Sequence, residues 1–215
     1  MIEIIPSILT NSPEEAKELL TRCEGATERV SIDIIDGKFA DNKTIDPSVL
    51  AEVDTNIKLD FQLMVVDPIN WIERCVRAGA DRIIGHIEHM EDQVEFVGKV
   101  QELGSHVGLG IDLPTSVADI NPTILNNLDV VLVMSVKAGF GGQKFDKMAI
   151  EKIILLDEIR SRDLTPYRIQ ADGGITLESI YNVRKAGVDE VSVGRRIFEG
   201  EVTENINKFL GAIHG

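Results

Sequence analysis

Arg77-Ala78-Gly79-Ala80-Asp81-Arg82-Ile83-Ile84-Gly85 is echoed 108 residues later by Lys185-Ala186-Gly187-Val188-Asp189-Glu190-Val191-Ser192-Val193. In each copy a basic helix end runs into a glycine suited to the left-handed turn that closes a helix, and then into a short β-branched run that reads as a strand. A ring of eight βα units places its fourth and eighth strands half a chain apart, and 108 is close to half of 215 residues.

Working outward from this pair, apolar β-branched runs alternate with amphipathic stretches along the whole chain. Strands are predicted at Glu3–Pro6, Arg29–Ile35, Lys58–Val65, Arg82–Ile87, His106–Ile111, Val130–Ser135, Arg168–Ala171 and Glu190–Val193. Ser12-Pro13-Glu14-Glu15 reads as a helix start with an N-cap serine, a proline at the first helical position and a capping-box glutamate; Ala16, Leu19 and Leu20 form the apolar stripe behind it. The longest amphipathic stretches, Met90–Leu103 and Lys147–Arg162, predict helices. The fold expected is an α/β (β/α)₈ TIM barrel, one domain over 1–215. The competing open, doubly wound sheet has a glycine-rich turn after its first strand, where this chain has Pro6-Ser7-Ile8-Leu9.

Composition narrows the function. The chain carries 22 Lys+Arg against 36 Asp+Glu, a net charge of −14, and no basic stretch interrupts the acidic background. Such a field repels nucleic acid, so an anionic small ligand has to be captured locally by backbone amides or a single well-placed cation. No apolar run is long enough to cross a bilayer, and the start Met1-Ile2-Glu3-Ile4-Ile5-Pro6 shows no charged, cleavable leader. The expectation is therefore a cytoplasmic chain with neither membrane nor nucleic-acid partner. Cys23 and Cys75 lack metal-like spacing and read as buried thiols on helices.

Glycines cluster late, at Gly139-Phe140-Gly141-Gly142, Asp172-Gly173-Gly174 and Gly194-Arg195-Arg196, after the sixth, seventh and eighth strands. Barrels commonly bind phosphate there, because glycine lets backbone amides approach an anion closely. Arg195 supplies one strong positive charge to the cradle, and Arg196 reads as a solvated residue at a helix start. In Ser31-Ile32-Asp33-Ile34-Ile35-Asp36, alternation puts Asp33 on the inward face with Ser31 and Ile35 and sends Ile32 and Ile34 outward. Asp172 closes the seventh strand and faces the same mouth. Two carboxylates flanking one carbon can take a proton from one face and return a proton to the other, which inverts a stereocentre beside a carbonyl. Asp36, followed by Gly37, reads as a turn acid.

Along nearly its whole length the chain resembles the ribulose-phosphate 3-epimerases. The matching segments are Pro6-Ser7-Ile8-Leu9, Asp33-Ile34-Ile35-Asp36-Gly37 with Phe39, Leu59-Asp60 with Leu63-Met64-Val65, Met134-Ser135-Val136 running into Gly139–Phe145, and Asp172-Gly173-Gly174-Ile175. The resemblance implies conversion of D-ribulose 5-phosphate to D-xylulose 5-phosphate with Asp33 and Asp172 as the acid/base pair. It implies Ser7 at the substrate, Met64 and Met134 around the reacting carbon, and Gly141, Gly142, Gly173, Gly174 and Gly194 about the phosphate. It also implies a homo-oligomer.

The departures are informative. Members of that family hold a divalent metal with two histidines and two aspartates, and here Ser31 and Gln62 stand at the histidine positions. Neither is a strong ligand for zinc or iron, so no cofactor is expected, and Ser31 and Gln62 become candidate hydrogen-bond donors to the substrate. His86 and His89 fall around the end of the fourth strand, His86 beside the site; His106 and His214 read as structural or exposed. Ile35 replaces a family methionine, Lys137-Ala138 an Asn-Pro pair and Arg195 a serine. The Gly194-Arg195 pair is similar to the phosphate grip of the orotidine-monophosphate decarboxylase group, whose Asp-x-Lys-x-x-Asp pattern is absent. The leading expectation is an isomerase epimerising a ketose phosphate. The alternatives are a lyase on a related sugar phosphate, aldolase or decarboxylase, and a non-catalytic sugar-phosphate binder.

Overall fold

The computed structural model describes residues 2–213. Eight parallel strands close into a barrel in chain order: β1 (Glu3–Ile8), β2 (Arg29–Ile35), β3 (Lys58–Met64), β4 (Ala80–His86), β5 (His106–Ile111), β6 (Val130–Met134), β7 (Arg168–Asp172) and β8 (Glu190–Val193). Seven helices pack outside or follow the strands: α1 (Pro13–Cys23), α2 (Ile72–Arg77), α3 (Gln93–Glu102), α4 (Met148–Asp163), α5 (Ile180–Lys185), α6 (Arg195–Phe198) and α7 (Val202–Ala212). The eight strands fall where hydrophobic alternation puts them, and Gly79 and Gly187 adopt φ of +82° and +110° as helix-ending turns require. Between β2 and β3, and between β5 and β6, short 3₁₀ turns such as Pro47–Leu50 stand in place of α-helices.

At the start of α1, Ser12 accepts from the Glu15 N–H at 3.2 Å as predicted. The second half of the capping box is not made, because Glu15 takes the Thr10 hydroxyl instead, and the Ser12 N–H donates to Thr10 Oγ1. Ala16 and Leu20 are buried, whereas Leu19 is only half-buried.

Alternation within each strand builds two apolar layers. Ile32 and Ile34 join the belt between strands and helices; Ile35, Met64, Ile84, Leu132 and Met134 fill the barrel interior. Burial of these residues is the main stabilising contribution. At the N-terminal end the interior is ionic: Arg82 donates to Asp60 from Nε at 3.0 Å and to Glu190 from Nη2 at 2.7 Å, while Arg29 pairs with Asp60. Arg82 and Glu190 hold equivalent places in the two sequence echoes and meet across the barrel from β4 and β8. This plug closes the bottom, so the usable opening lies at the C-terminal ends of the strands. Cys23 and Cys75 are buried free thiols on α1 and α2, and burial pushes the Cys23 thiol up to about 12. No helix among the described residues is long and apolar enough to cross a membrane.

Candidate active site

A cavity of about 490 Å³ opens over the C-terminal ends of the strands. Ser7, Asp33, Met64, Met134 and Asp172 form its floor; Gly141, Gly142, Gly173, Gly174, Gly194 and Arg195 form one wall. The candidates from both ends of the chain thus converge on one space. Leu9 and Val136, from segments that match the family, also line it, as do Arg22 and Ser192, which no site motif marked.

Asp33 is buried and faces inward near the top of β2. Ser7, on the neighbouring β1, donates to Asp33 Oδ2 at 3.0 Å. The backbone of Asp33 is clamped by Thr44, whose hydroxyl donates to the Asp33 carbonyl at 2.7 Å and accepts from the Ile35 N–H at 2.8 Å. Thr44 lies in the β2–β3 connection and carries no recognisable motif. Asp172 ends β7, and its carbonyl accepts from the Ser135 N–H and hydroxyl at 2.7 and 2.9 Å. Both acids are thus fixed through their backbones by side chains from other segments.

Burial raises the proton affinity of both. Asp33 is pushed well above the usual carboxylate range by burial and then by the charge of Asp172, against the opposing hydroxyls of Ser7 and Ser31. Burial pushes Asp172 up to about 6, with Gln62, His86 and the Gly173 N–H favouring its ionised form. Asp36 has the opposite character. Burial is outweighed by the N–H groups of Phe39, Val66 and Lys38, which hold it below the ordinary range as the turn acid foreseen.

Ser31 and Gln62 do not line the cavity. Both are fully buried beneath its floor, Ser31 two residues before Asp33 on β2 and Gln62 as the register partner of Asp33 on β3. Inward side chains stack in layers in a barrel, and these two belong to the layer under the mouth. Ser31 Oγ, Asp33 Oδ1 and Gln62 Oε1 have no hydrogen-bond partner among the described residues.

The glycine wall has tight geometry. A Cβ at Gly174 would stand 2.5 Å from the Phe145 N, so the loop after β6 packs directly on the loop after β7. A Cβ at Gly142 would come 3.9 Å from Arg195 Nη1, which places the guanidinium over the β6 loop. The Arg195 side chain is 76% exposed, and its Nε lies 3.6 Å from Glu199, a weak contact in water. Arg196 is exposed at the start of α6 and also reaches the rim. His86 is buried at the top of β4 and His106 is exposed, pairing with Asp129 at 3.0 Å; His214 lies outside the described residues.

Residues 3–198 match the model of the ribulose-phosphate 3 epimerase family. The chain belongs to the ribulose-phosphate 3-epimerase family. It is 35% identical over 211 residues to the ribulose-phosphate 3-epimerase of Chlamydia pneumoniae, covering 96% of this chain and 90% of the relative. It is 32% identical over 205 residues to that of Bacillus subtilis, covering 92% and 93%. Among solved structures, 3-keto-L-gulonate-6-phosphate decarboxylase from Vibrio cholerae superposes with a TM-score of 0.71 at 13% identity, covering 99% of this chain and 97% of that one; at that identity the likeness concerns the barrel alone. Within the family, this member's donor set does not suit zinc or iron. Asp33 and Asp172 are joined by a neutral hydroxyl and a neutral amide in place of two imidazoles, and no three His, Cys, Asp or Glu side chains cluster to hold an ion among the described residues.

Proposed function

We propose that this protein epimerises a ketose phosphate at C3, with D-ribulose 5-phosphate and D-xylulose 5-phosphate as the pair, using Asp33 and Asp172 as a two-carboxylate acid/base couple without a transition metal. The observation that carries the reading is the convergence of these two buried acids on one cavity beside a glycine and arginine wall. Family membership supplies the substrate class.

The environments divide the roles. Burial and then the charge of Asp172 raise the proton affinity of Asp33, which favours Asp33 as the acid and Asp172 as the base. Ionised Asp172 removes the C3 proton; the C–H electron pair becomes the C2–C3 double bond, and negative charge moves to the C2 oxygen. Asp33 then delivers its proton to the opposite face of C3, the carbonyl re-forms, and configuration is inverted. Met64 and Met134 supply apolar walls around the reacting carbon. The Gly141, Gly142, Gly173, Gly174 and Gly194 backbone, with Arg195, holds the phosphate and so fixes C3 between the acids. A homo-oligomer and a cytoplasmic setting belong to the same proposal, supported by the family resemblance and the metabolic names of the relatives.

Incubation with D-ribulose 5-phosphate followed by carbon NMR tests the reading. Appearance of D-xylulose 5-phosphate at a constant final ratio is expected. Release of carbon dioxide or of a shorter sugar phosphate would instead make the protein a lyase.

A further inference from the structure

Beneath the cavity floor lies a line of buried and half-buried polar groups that the proton transfers do not use. Glu88, in the 3₁₀ turn Ile87–His89 after β4, accepts from the Asp112 N–H at 2.7 Å through Oε1 and faces His86 Nδ1 at 3.3 Å through Oε2. His86 Nε2 faces the Gln62 side-chain nitrogen at 3.1 Å. That nitrogen also donates to Met134 Sδ at 3.3 Å, and Met134 is the register partner of Asp172 on the neighbouring strand.

The directions of these bonds follow from donor and acceptor chemistry. An amide nitrogen only donates, so His86 Nε2 accepts, the ring hydrogen sits on Nδ1, and Nδ1 donates to Glu88. Glu88 is ready to accept twice: burial is outweighed by His86 and the Asp112 N–H, which bring it down to about 2. The surroundings hold the ring in one place. A Cβ at Gly110 on β5 would come 2.9 Å from His86 Cδ2 and Nε2, so glycine makes the room, and the Phe39 ring stands edge-on at 5.5 Å.

We propose that Glu88, His86 and Gln62 form a directional hydrogen-bonded relay that fixes the Met134 side chain and, through it, the cavity floor beside Asp172. The assignment of a catalytic role to Asp172 rests on the function proposed above. Both amide hydrogens of Gln62 are committed, one to His86 and one to Met134, so the fixed amide sets where Met134 stands beside Asp172 across the β6–β7 pair. His86, Glu88 and Gln62 are positioning residues; none lines the cavity.

Two measurements on the full-length chain test this, and the first needs no activity. Long-range proton–nitrogen NMR of the histidine rings is expected to show His86 with hydrogen on Nδ1 and a bare, hydrogen-bonded Nε2. The carboxyl carbon resonance of Asp172 is expected to move in both Gln62→Met and Glu88→Ala. Hydrogen on Nε2 with a bare Nδ1, or an Asp172 resonance untouched by both substitutions, would overturn the relay whether or not the protein turns over. The second measurement is kinetic. Gln62→Met and Glu88→Ala should each lower kcat about tenfold or more with KM within about twofold, the double variant should be little worse than either, and Glu88→Gln should regain most of the loss. Additive losses, or a rise in KM with kcat preserved, would refute it. Absence of C3 chemistry in the parent would count against the proposed function alone, since the resonances still decide the relay.

Discussion

Asp172 raises the proton affinity of Asp33 although the two stand on β7 and β2, with β8 and β1 between them in the ring. The coupling exists because both side chains turn into the same buried mouth, where water screens poorly. It makes the acids a unit that is costly to the fold.

Stability should therefore rise when one acid is neutralised. In the unfolded chain Asp172 loses its proton at the ordinary value of 3.8, whereas in the folded protein it does so at about 6. Native stability falls as pH increases through this window, and the penalty is complete above it, amounting to at most about 3 kcal/mol. Asp172→Asn is expected to increase Tm at pH 7.5 relative to the parent, with the advantage vanishing below pH 4, and to abolish epimerisation. Calorimetry at the two pH values checks the sign.

Arg195 should matter for binding and not for folding. Among the described residues its exposed side chain pairs only with Glu199, at 3.6 Å, yet its guanidinium overhangs Gly142. Arg195→Ala should raise KM for a sugar phosphate about tenfold or more and leave Tm within about 1 °C. Titration calorimetry with inorganic phosphate gives a second reading of the same loss.

Much of this architecture is legible in the sequence because a barrel strand buried on both faces has to be apolar and short, and a glycine in the left-handed conformation can close the helix before it. Gly79 and Gly187 mark two such ends, and the residues that follow them, Arg82 and Glu190, meet as an ion pair at the barrel's base. Asp33 and Asp172 are legible too, since a carboxylate on an inward strand position is expensive without a task. Depth along the barrel axis is not legible. Ser31 shares the inward face with Asp33 but sits one layer lower, and Gln62 pairs in register with Asp33 yet stays under the floor. Alternation reports which face a residue takes and says nothing about how far it stands from the mouth. The contacts of Thr44 and Ser135 are illegible for a different reason: both residues grip backbone carbonyls, and no residue pattern advertises such a contact, even for Ser135 inside a segment that matches the family.

The ion pair at the base carries its own prediction. Arg82 neutralises Asp60 and Glu190, all three nearly inaccessible. Arg82→Met would leave two buried carboxylates with too little compensation and should cost about 3–5 kcal/mol in urea unfolding. Arg82→Met combined with Asp60→Asn and Glu190→Gln should recover a large part of it.

Restoring imidazole should restore metal binding. With histidine at positions 31 and 62, beside Asp33 and Asp172, the donor set regains two nitrogens and two carboxylates. The Ser31→His/Gln62→His variant is expected to retain about one equivalent of zinc after dialysis, against far less for the parent. Atomic absorption on both proteins checks this, and equal metal in the two would show that Ser31 and Gln62 do not control the site.

Proton exchange at C3 probes the paired acids most directly. In deuterated buffer with D-ribulose 5-phosphate, NMR should show deuterium entering C3 as D-xylulose 5-phosphate forms, and neither event in Asp33→Asn or Asp172→Asn. Epimer formation that persists in either variant, or a parent protein that leaves the C3 hydrogen in place, would contradict a two-carboxylate mechanism in this barrel.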